Sequence, residues 1–157
     1  MNKIARGEPA VGNTAPGFRL QDQNSEWHGL EDYRGRWVVL FFYPKADTPG
    51  CAKEACEFRD NFVAFEELGV AVVGISLDNV SSQKKFADKY HLPFLLVSDA
   101  EKVVAGLYGV RRGFGFFSFA SRQTFLINPD GRIAKHYKKV TPRTHSGEVL
   151  ADLKTLM

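Results

Sequence analysis

Trp37-Val38-Val39-Leu40-Phe41-Phe42-Tyr43 is an unbroken apolar run that stops at Pro44. A strand with one wet face alternates apolar and polar residues, so a run apolar at every position must be covered on both sides. That demand points to a sheet sandwiched between layers of helix. Just beyond the proline, Thr48-Pro49 is a helix-start signal, with a hydroxyl residue at the N-cap and proline at the first helical position. The chain's two cysteines follow at once. Cys51 falls in the third helical position and Cys56 five residues later.

The remaining pattern extends the same plan. Residues 1–16 read as a polar lead-in arm, and Phe18-Arg19-Leu20 and Glu26-Trp27-His28 flank a polar turn, as in a short hairpin. A helix is expected over 49–68, a second doubly covered strand over 70–76 and a helix over 81–90. A short strand around 94–97 and a short helix over 102–108 come next. An aromatic, glycine-containing loop leads to a strand over 123–127, and Asn128-Pro129-Asp130-Gly131 turns it back over 133–138. Residues 145–156 close the chain as a helix. The expected class is α/β: a central mixed sheet flanked by helices, with an N-terminal hairpin. No repeat, linker or low-complexity tract interrupts it, so residues 1–157 are read as one domain.

Composition excludes several classes. Of 157 residues 44% are hydrophobic, including 13 phenylalanines, which is ample for a buried core and unlike disorder. A net charge of +3 is too small to require a nucleic-acid partner. The first eight residues lack the apolar stretch of an export signal, and no apolar run approaches the roughly 20 residues that span a bilayer. A cytoplasmic chain with no membrane partner is therefore expected.

The thiols occupy unequal positions. In the first helical turn, Cys51 meets unpaired backbone N–H groups and the positive end of the helix dipole, a setting that stabilises a thiolate. Cys51, Ala55, Phe58, Phe62 and Phe65 share one helical face, so Cys51 is expected to point inward and Cys56 toward a polar flank with Asp60. Five helical residues separate two positions by about 7.5 Å along the axis and about 140° around it. A disulfide needs Cα atoms within about 7 Å and converging side chains, so the pair cannot bond while the helix is intact. Chance core cysteines, a zinc site and a dithiol oxidoreductase remain as readings of the pair. Zinc needs about four ligands, and His28, His91, His136 and His145 show no spacing that matches the thiols. A Cys-x-x-Cys oxidoreductase has two intervening residues, whereas this chain has four.

Pro44-Lys45-Ala46-Asp47-Thr48-Pro49-Gly50-Cys51 resembles the Pro-x-x-x-Thr-x-x-Cys signature of peroxiredoxins. The continuation Glu54-Ala55-Cys56-Glu57-Phe58-Arg59-Asp60 is similar to the bacterioferritin-comigratory, or Q, branch. Gly74-Ile75-Ser76-Leu77-Asp78 and Arg122-Gln123-Thr124-Phe125-Leu126-Ile127 extend the resemblance over most of the chain. It implies a thioredoxin-like fold and thiol-dependent reduction of hydrogen peroxide and organic hydroperoxides without metal, haem or flavin. It makes Cys51 the peroxidatic cysteine, oxidised to a sulfenic acid, and Cys56 the resolving cysteine that forms an intramolecular disulfide. A thioredoxin or similar dithiol would then reduce that disulfide. Arg122 would favour the thiolate and bind peroxide oxygens, Thr48 would orient the peroxide, and Pro44 would shield the sulfur. The backbone near Gly50 and Cys51 would donate to substrate, and Glu54 would hold the arginine. An internal partner for Cys51 suggests a monomer.

One segment competes with this reading. Arg112-Gly113-Phe114-Gly115-Phe116-Phe117-Ser118-Phe119 resembles the RNP1 strand of RNA-recognition domains, but residues 81–90, where a matching strand belongs, have a helical pattern. A loop in which Phe116 and Phe117 line an apolar pocket beside Arg122 is expected instead, or a small dimer patch. His91 and His145 have no partner identifiable from the sequence. Asp78 and Asp99, each following a strand, are expected to cap turns.

Overall fold

The computed structural model describes residues 9–157, so the first half of the lead-in arm lies outside the described residues. What is described of the arm is fastened to the body, with Gly12 N donating to Ile133 O at 2.8 Å and Ala15 N to Gly131 O at 2.9 Å. The expected hairpin follows as β1 (Arg19–Gln21) and β2 (Trp27–Gly29), paired antiparallel. Asp22 shapes its turn by accepting Asn24 N at 2.7 Å and Glu26 N at 3.0 Å.

The apolar run is β3 (Val38–Phe42), and every residue in it is buried. After it come α1 (Pro49–Asp60), α2 (Phe62–Glu67), β4 (Ala71–Ser76), α3 (Val80–Tyr90), β5 (Leu95–Ser98) and α4 (Val103–Leu107). A two-stranded ribbon, β6 (Arg111–Arg112) with β7 (Phe119–Ala120), precedes β8 (Gln123–Ile127), β9 (Ile133–Tyr137) and α5 (His145–Leu156). The main sheet has seven strands in the order β2-β1-β5-β4-β3-β8-β9. Its centre is parallel, with β4 between β3 and β5, and β8 and β9 add on antiparallel. The fold is thioredoxin-like, a mixed sheet with helices on both faces.

Alternation along β3 shows why the run had to be apolar throughout. Val39 and Phe41, with Tyr43 just beyond the strand, pack beneath α1, α3 and α5 with Phe58, Phe86 and Leu153. Val38, Leu40 and Phe42 face the opposite layer with Val104, Tyr108 and Phe125. Burying a large apolar side chain stabilises the fold by about 1.5–3 kcal/mol, so both layers are needed to hold this strand.

One expectation needs correction. The single helix expected over 49–68 is two helices, broken at Asn61. Asn61 leaves the helical path at φ −100°, ψ 7°, and its Nδ2 donates to Ser146 Oγ of α5 at 2.8 Å. Asparagine competes for backbone partners and is a poor helix former, so a tertiary hydrogen bond can take it out of the helix. The periodic phenylalanines on either side hide that break from a pattern reading.

Candidate active site

The site is assembled where β3 gives way to α1. The chain leaves β3 through Tyr43, whose hydroxyl donates to buried Gln83 of α3, and bends at Pro44. Ala46 N then donates to Asp78 Oδ2 at 2.7 Å, which ties the loop to the end of β4. Asp47 is held at φ 61°, a left-handed conformation that a non-glycine residue adopts only with local support. Its carboxylate accepts from Lys89 Nζ at 3.0 Å and from Tyr90 OH at 3.0 Å, both at the end of α3. Thr48 is then extended, and Pro49 opens α1.

Thr48 is the N-cap by backbone geometry, but its side chain does not cap. Its hydroxyl instead donates to Lys45 O at 2.7 Å. With that proton committed, the oxygen's lone pairs can accept a hydrogen bond from a bound hydroperoxide. Proline has no N–H, so the unpaired donors of this helix start are the Gly50 and Cys51 amides.

Cys51 is buried at the head of α1 and Cys56 is half-buried on its flank; both are free thiols. Ala55, Phe58 and Phe65 are buried beneath Cys51 as the periodicity requires, while Phe62 is only partly covered. Cys56 lines a separate open depression of 540 Å³ with Asp47, Pro49, Ala52, Lys53, Lys89 and Tyr90.

Arg122 reaches Cys51 from 71 residues away, at the mouth of β8. Its Nη2 donates to Cys51 Sγ at 3.4 Å and its Nη1 to Glu54 Oε1 at 2.9 Å. Burial works against the guanidinium charge, but Cys51 and Glu54 more than offset this and leave its pKa above the ordinary value. Glu54 is wholly buried one turn after Cys51. Burial pushes its pKa up to about 7, against the opposing pull of Arg122, and its Oε2 has no hydrogen-bond partner among the described residues. A carboxylate this deep is tolerated because Arg122 pairs with it.

Gly50 has a use that the sequence did not show. A Cβ there would lie 2.9 Å from Arg122 Nη2, so the missing side chain is the space the guanidinium occupies beside the sulfur. His145 is another residue the sequence left without a role. It is fully buried, with Nε2 2.8 Å from Thr124 Oγ1 and Nδ1 3.1 Å from Glu148 Oε1, and its ring meets Phe58 and Tyr137 edge-on. Its place at the head of α5 clamps the far end of α1. Asp99 does cap, by accepting Val104 N at 3.2 Å and Ala105 N at 2.7 Å, whereas the Asp78 carboxylate holds Ala46 N and Ser76 Oγ instead of its own turn.

These contacts bring together Cys51, Arg122, Glu54 and Gly50, with Thr48 in the turn just before them. Such a cluster can hold a sulfur anion and place cationic and amide donors where charge would develop on an attacked oxygen. Residues 11–136 match the AhpC/TSA family. The chain belongs to that family.

The similarity narrows further within it. Peroxiredoxin Bcp from Bacillus subtilis (strain 168) is 40% identical over 150 residues, which cover 93% of this chain and 96% of that protein. The crystal structure of peroxidoxin BcpB from Mycobacterium tuberculosis superposes with a TM-score of 0.87 at 38% identity, covering 94% of this chain and 97% of the other. The bacterioferritin comigratory protein of Xanthomonas campestris, whose structures address alkyl peroxide reduction, has a TM-score of 0.83 at 30% identity. There the coverage is 88% of this chain and 91% of the other. This peroxiredoxin is thus of the Bcp and Q type, and its activity is that of a thiol-dependent peroxidase.

The expected phenylalanine pocket beside Arg122 is not formed. Phe116 and Phe117 border a depression of 890 Å³ that includes Pro44, Lys45, Leu77, Asp78 and Lys102, but neither Cys51 nor Arg122. Phe117 is 82% exposed and Phe116 fully so. Pro44 and Lys45, in the loop before α1, line that depression as well.

Proposed function

We propose that this peroxiredoxin reduces hydrogen peroxide and organic hydroperoxides through a Cys51 sulfenic acid that Cys56 resolves within the same chain. The observation that carries the reading is the buried Cys51 sulfur 3.4 Å from Arg122, with Cys56 free on the same helix. The Cys51 thiolate attacks the terminal peroxide oxygen and the O–O bond breaks. The sulfur becomes a sulfenic acid that keeps the terminal O–H, and the departing oxygen takes up the proton that the Cys51 thiol released on ionising, leaving as water or an alcohol. Arg122 and the amides of Gly50 and Cys51 stabilise charge on the departing oxygen, Thr48 accepts from the hydroperoxide proton, and Pro44 shields the sulfur on the loop side. The Cys56 sulfur then attacks the sulfenic sulfur and water leaves, giving the disulfide.

That second step requires the first turns of α1 to unwind, since the intact helix keeps the two side chains about 140° apart. Reduction by a thioredoxin-type dithiol, through exchange at the half-buried Cys56, closes the cycle. Two thiols that open and close one disulfide in each cycle suit a reducing compartment such as the cytoplasm. A monomer suffices for the cycle.

Mass spectrometry of peroxide-treated protein, beside Cys56→Ser, tests the scheme. The expected products are an internal Cys51–Cys56 disulfide in the wild type and sulfenic or sulfinic Cys51 in the variant. A disulfide between chains as the main wild-type product would overturn the intramolecular step.

A further inference from the structure

The ribbon of β6 and β7 carries the most apolar exposed surface among the described residues. At its tip Phe114 and Phe117 are 81% and 82% exposed, Phe116 is fully exposed and Phe119 follows at 42%. This tip is a specified turn. Phe117 N donates to Phe114 O at 3.1 Å and Ser118 N to Gly115 O at 3.3 Å. Gly113, at φ +72°, passes so close to the returning chain that a Cβ would lie 2.1 Å from Phe117 O. Glycine is therefore required for the turn that holds these rings out in water, and nothing in the fold recovers the cost of exposing them.

The surroundings of the rings are cationic. Arg111 and Arg112 form β6 at the base of the ribbon, both exposed, and Lys45 and Lys102 border the depression behind the tip. Asp78 is the acid in that depression. Its Oδ2 is committed to Ala46 N and Ser76 Oγ, and its Oδ1 lies 3.9 Å from Lys45 Nζ. An isologous contact through this ribbon would set the cationic base beside its own copy. An RNA would meet the charge, but the phenylalanines sit on a glycine-bent tip rather than on a flat strand that stacks bases. Phenylalanines ringed by arginine and lysine fit the boundary of an anionic bilayer, where rings enter the acyl region and cations remain among the headgroups.

We propose that the Phe114–Phe119 tip is a peripheral membrane-docking element for anionic lipid surfaces. The sequence suggested no membrane partner because it lacks a spanning segment, and no described helix is long and apolar enough to cross a bilayer. Surface docking needs neither. Pro44 is shared between the site and the depression behind the tip, so docking would bring the thiol site to hydroperoxides at the lipid boundary. That consequence rests on the peroxidase chemistry above; the docking does not.

Full-length reduced protein, co-sedimented with vesicles of phosphatidylcholine alone or mixed with phosphatidylglycerol, tests the docking directly. Expected is binding to the anionic vesicles that weakens with salt and exceeds binding to the neutral ones by about ten-fold. Phe114→Ser with Phe116→Ser should lower that binding by about ten-fold or more. Arg111→Gln with Arg112→Gln, which leaves the apolar turn intact, should remove the preference for anionic lipid. Circular dichroism melts confirm that each variant is folded, and sedimentation velocity without vesicles reads self-association. Equal affinity for both vesicle types, or none for either, overturns the proposal. So does a dimer abolished by the phenylalanine variant, which would make the tip an interface between copies, or salt-sensitive binding to an oligonucleotide but not to vesicles.

Discussion

Gly50 contributes to this site by what it lacks. Arg122 Nη2 stands where a Cβ would be, and the same guanidinium is held on its other side by Glu54 and the sulfur. Alanine is the better helix former by at most about 1 kcal/mol, a gain that Gly50→Ala sets against a loosened Arg122–Glu54 pair. The substitution should push Arg122 off Cys51 and lower kcat/KM for hydrogen peroxide by about ten-fold or more. Stopped-flow kinetics beside thermal melts separates the two effects. An unchanged kcat/KM would show that the guanidinium can yield without losing the sulfur. Glu54 shows the same economy at depth: one oxygen grips Arg122 and the other has no partner among the described residues, while burial raises its pKa to about 7 against the pull of Arg122.

At the scale of the element, α1 has to be firm in one state and yield in another. Its start is tethered outside the helix itself, because Asp47 holds Lys89 and Tyr90 of α3 and is kept in a left-handed conformation by doing so. Its end is broken at Asn61 and fastened to Ser146. Unwinding the first turns therefore means releasing the Asp47 tether while the far end stays anchored. Asp47→Ala should speed formation of the Cys51–Cys56 disulfide by about two- to five-fold, the range an exposed ion pair supplies. Less sulfinic Cys51 should then accumulate at high peroxide, read by quenched-flow alkylation and mass spectrometry. A slower disulfide in that variant would mean that the tether positions the helix for resolution rather than restraining it.

For the whole molecule, the layers meet at His145. Burial lowers its pKa below the ordinary 6.5, while Glu148 and Asp152 act in the opposite direction. The folded state thus prefers the neutral ring. The corresponding stability is present above the unfolded value, near 6.5, and is lost as pH falls through the lower folded value. Glu54, raised to about 7, acts with the opposite sign over the same range but equally in both proteins, so in thermal melts between pH 7.5 and 4.5 the Tm of the wild type should fall relative to that of His145→Gln as the medium becomes acid. Parallel curves for the two proteins would remove His145 from the acid response.

Much of this architecture was legible in the sequence. The continuous run at β3, the Thr48-Pro49 start and the Asn128–Gly131 turn are local signals, and each is found at its expected position. The inward Cys51 and outward Cys56 follow from helical geometry alone. The break at Asn61 was not legible, because its cause is a hydrogen bond to a residue 85 positions later. For the phenylalanine segment the sequence left a pocket beside Arg122 and a small exposed patch both open, and only the glycine turn decides that the rings face outward. By itself the sequence determined most of the elements and the inequality of the two thiols, because helix periodicity and capping act over a few residues. Only the tertiary structure decided the rest: that Arg122 fits into the space above Gly50, that Glu54 is buried against it, and that the phenylalanines stay in water. Those outcomes depend on which distant segments share a volume, and no local pattern encodes a shared volume.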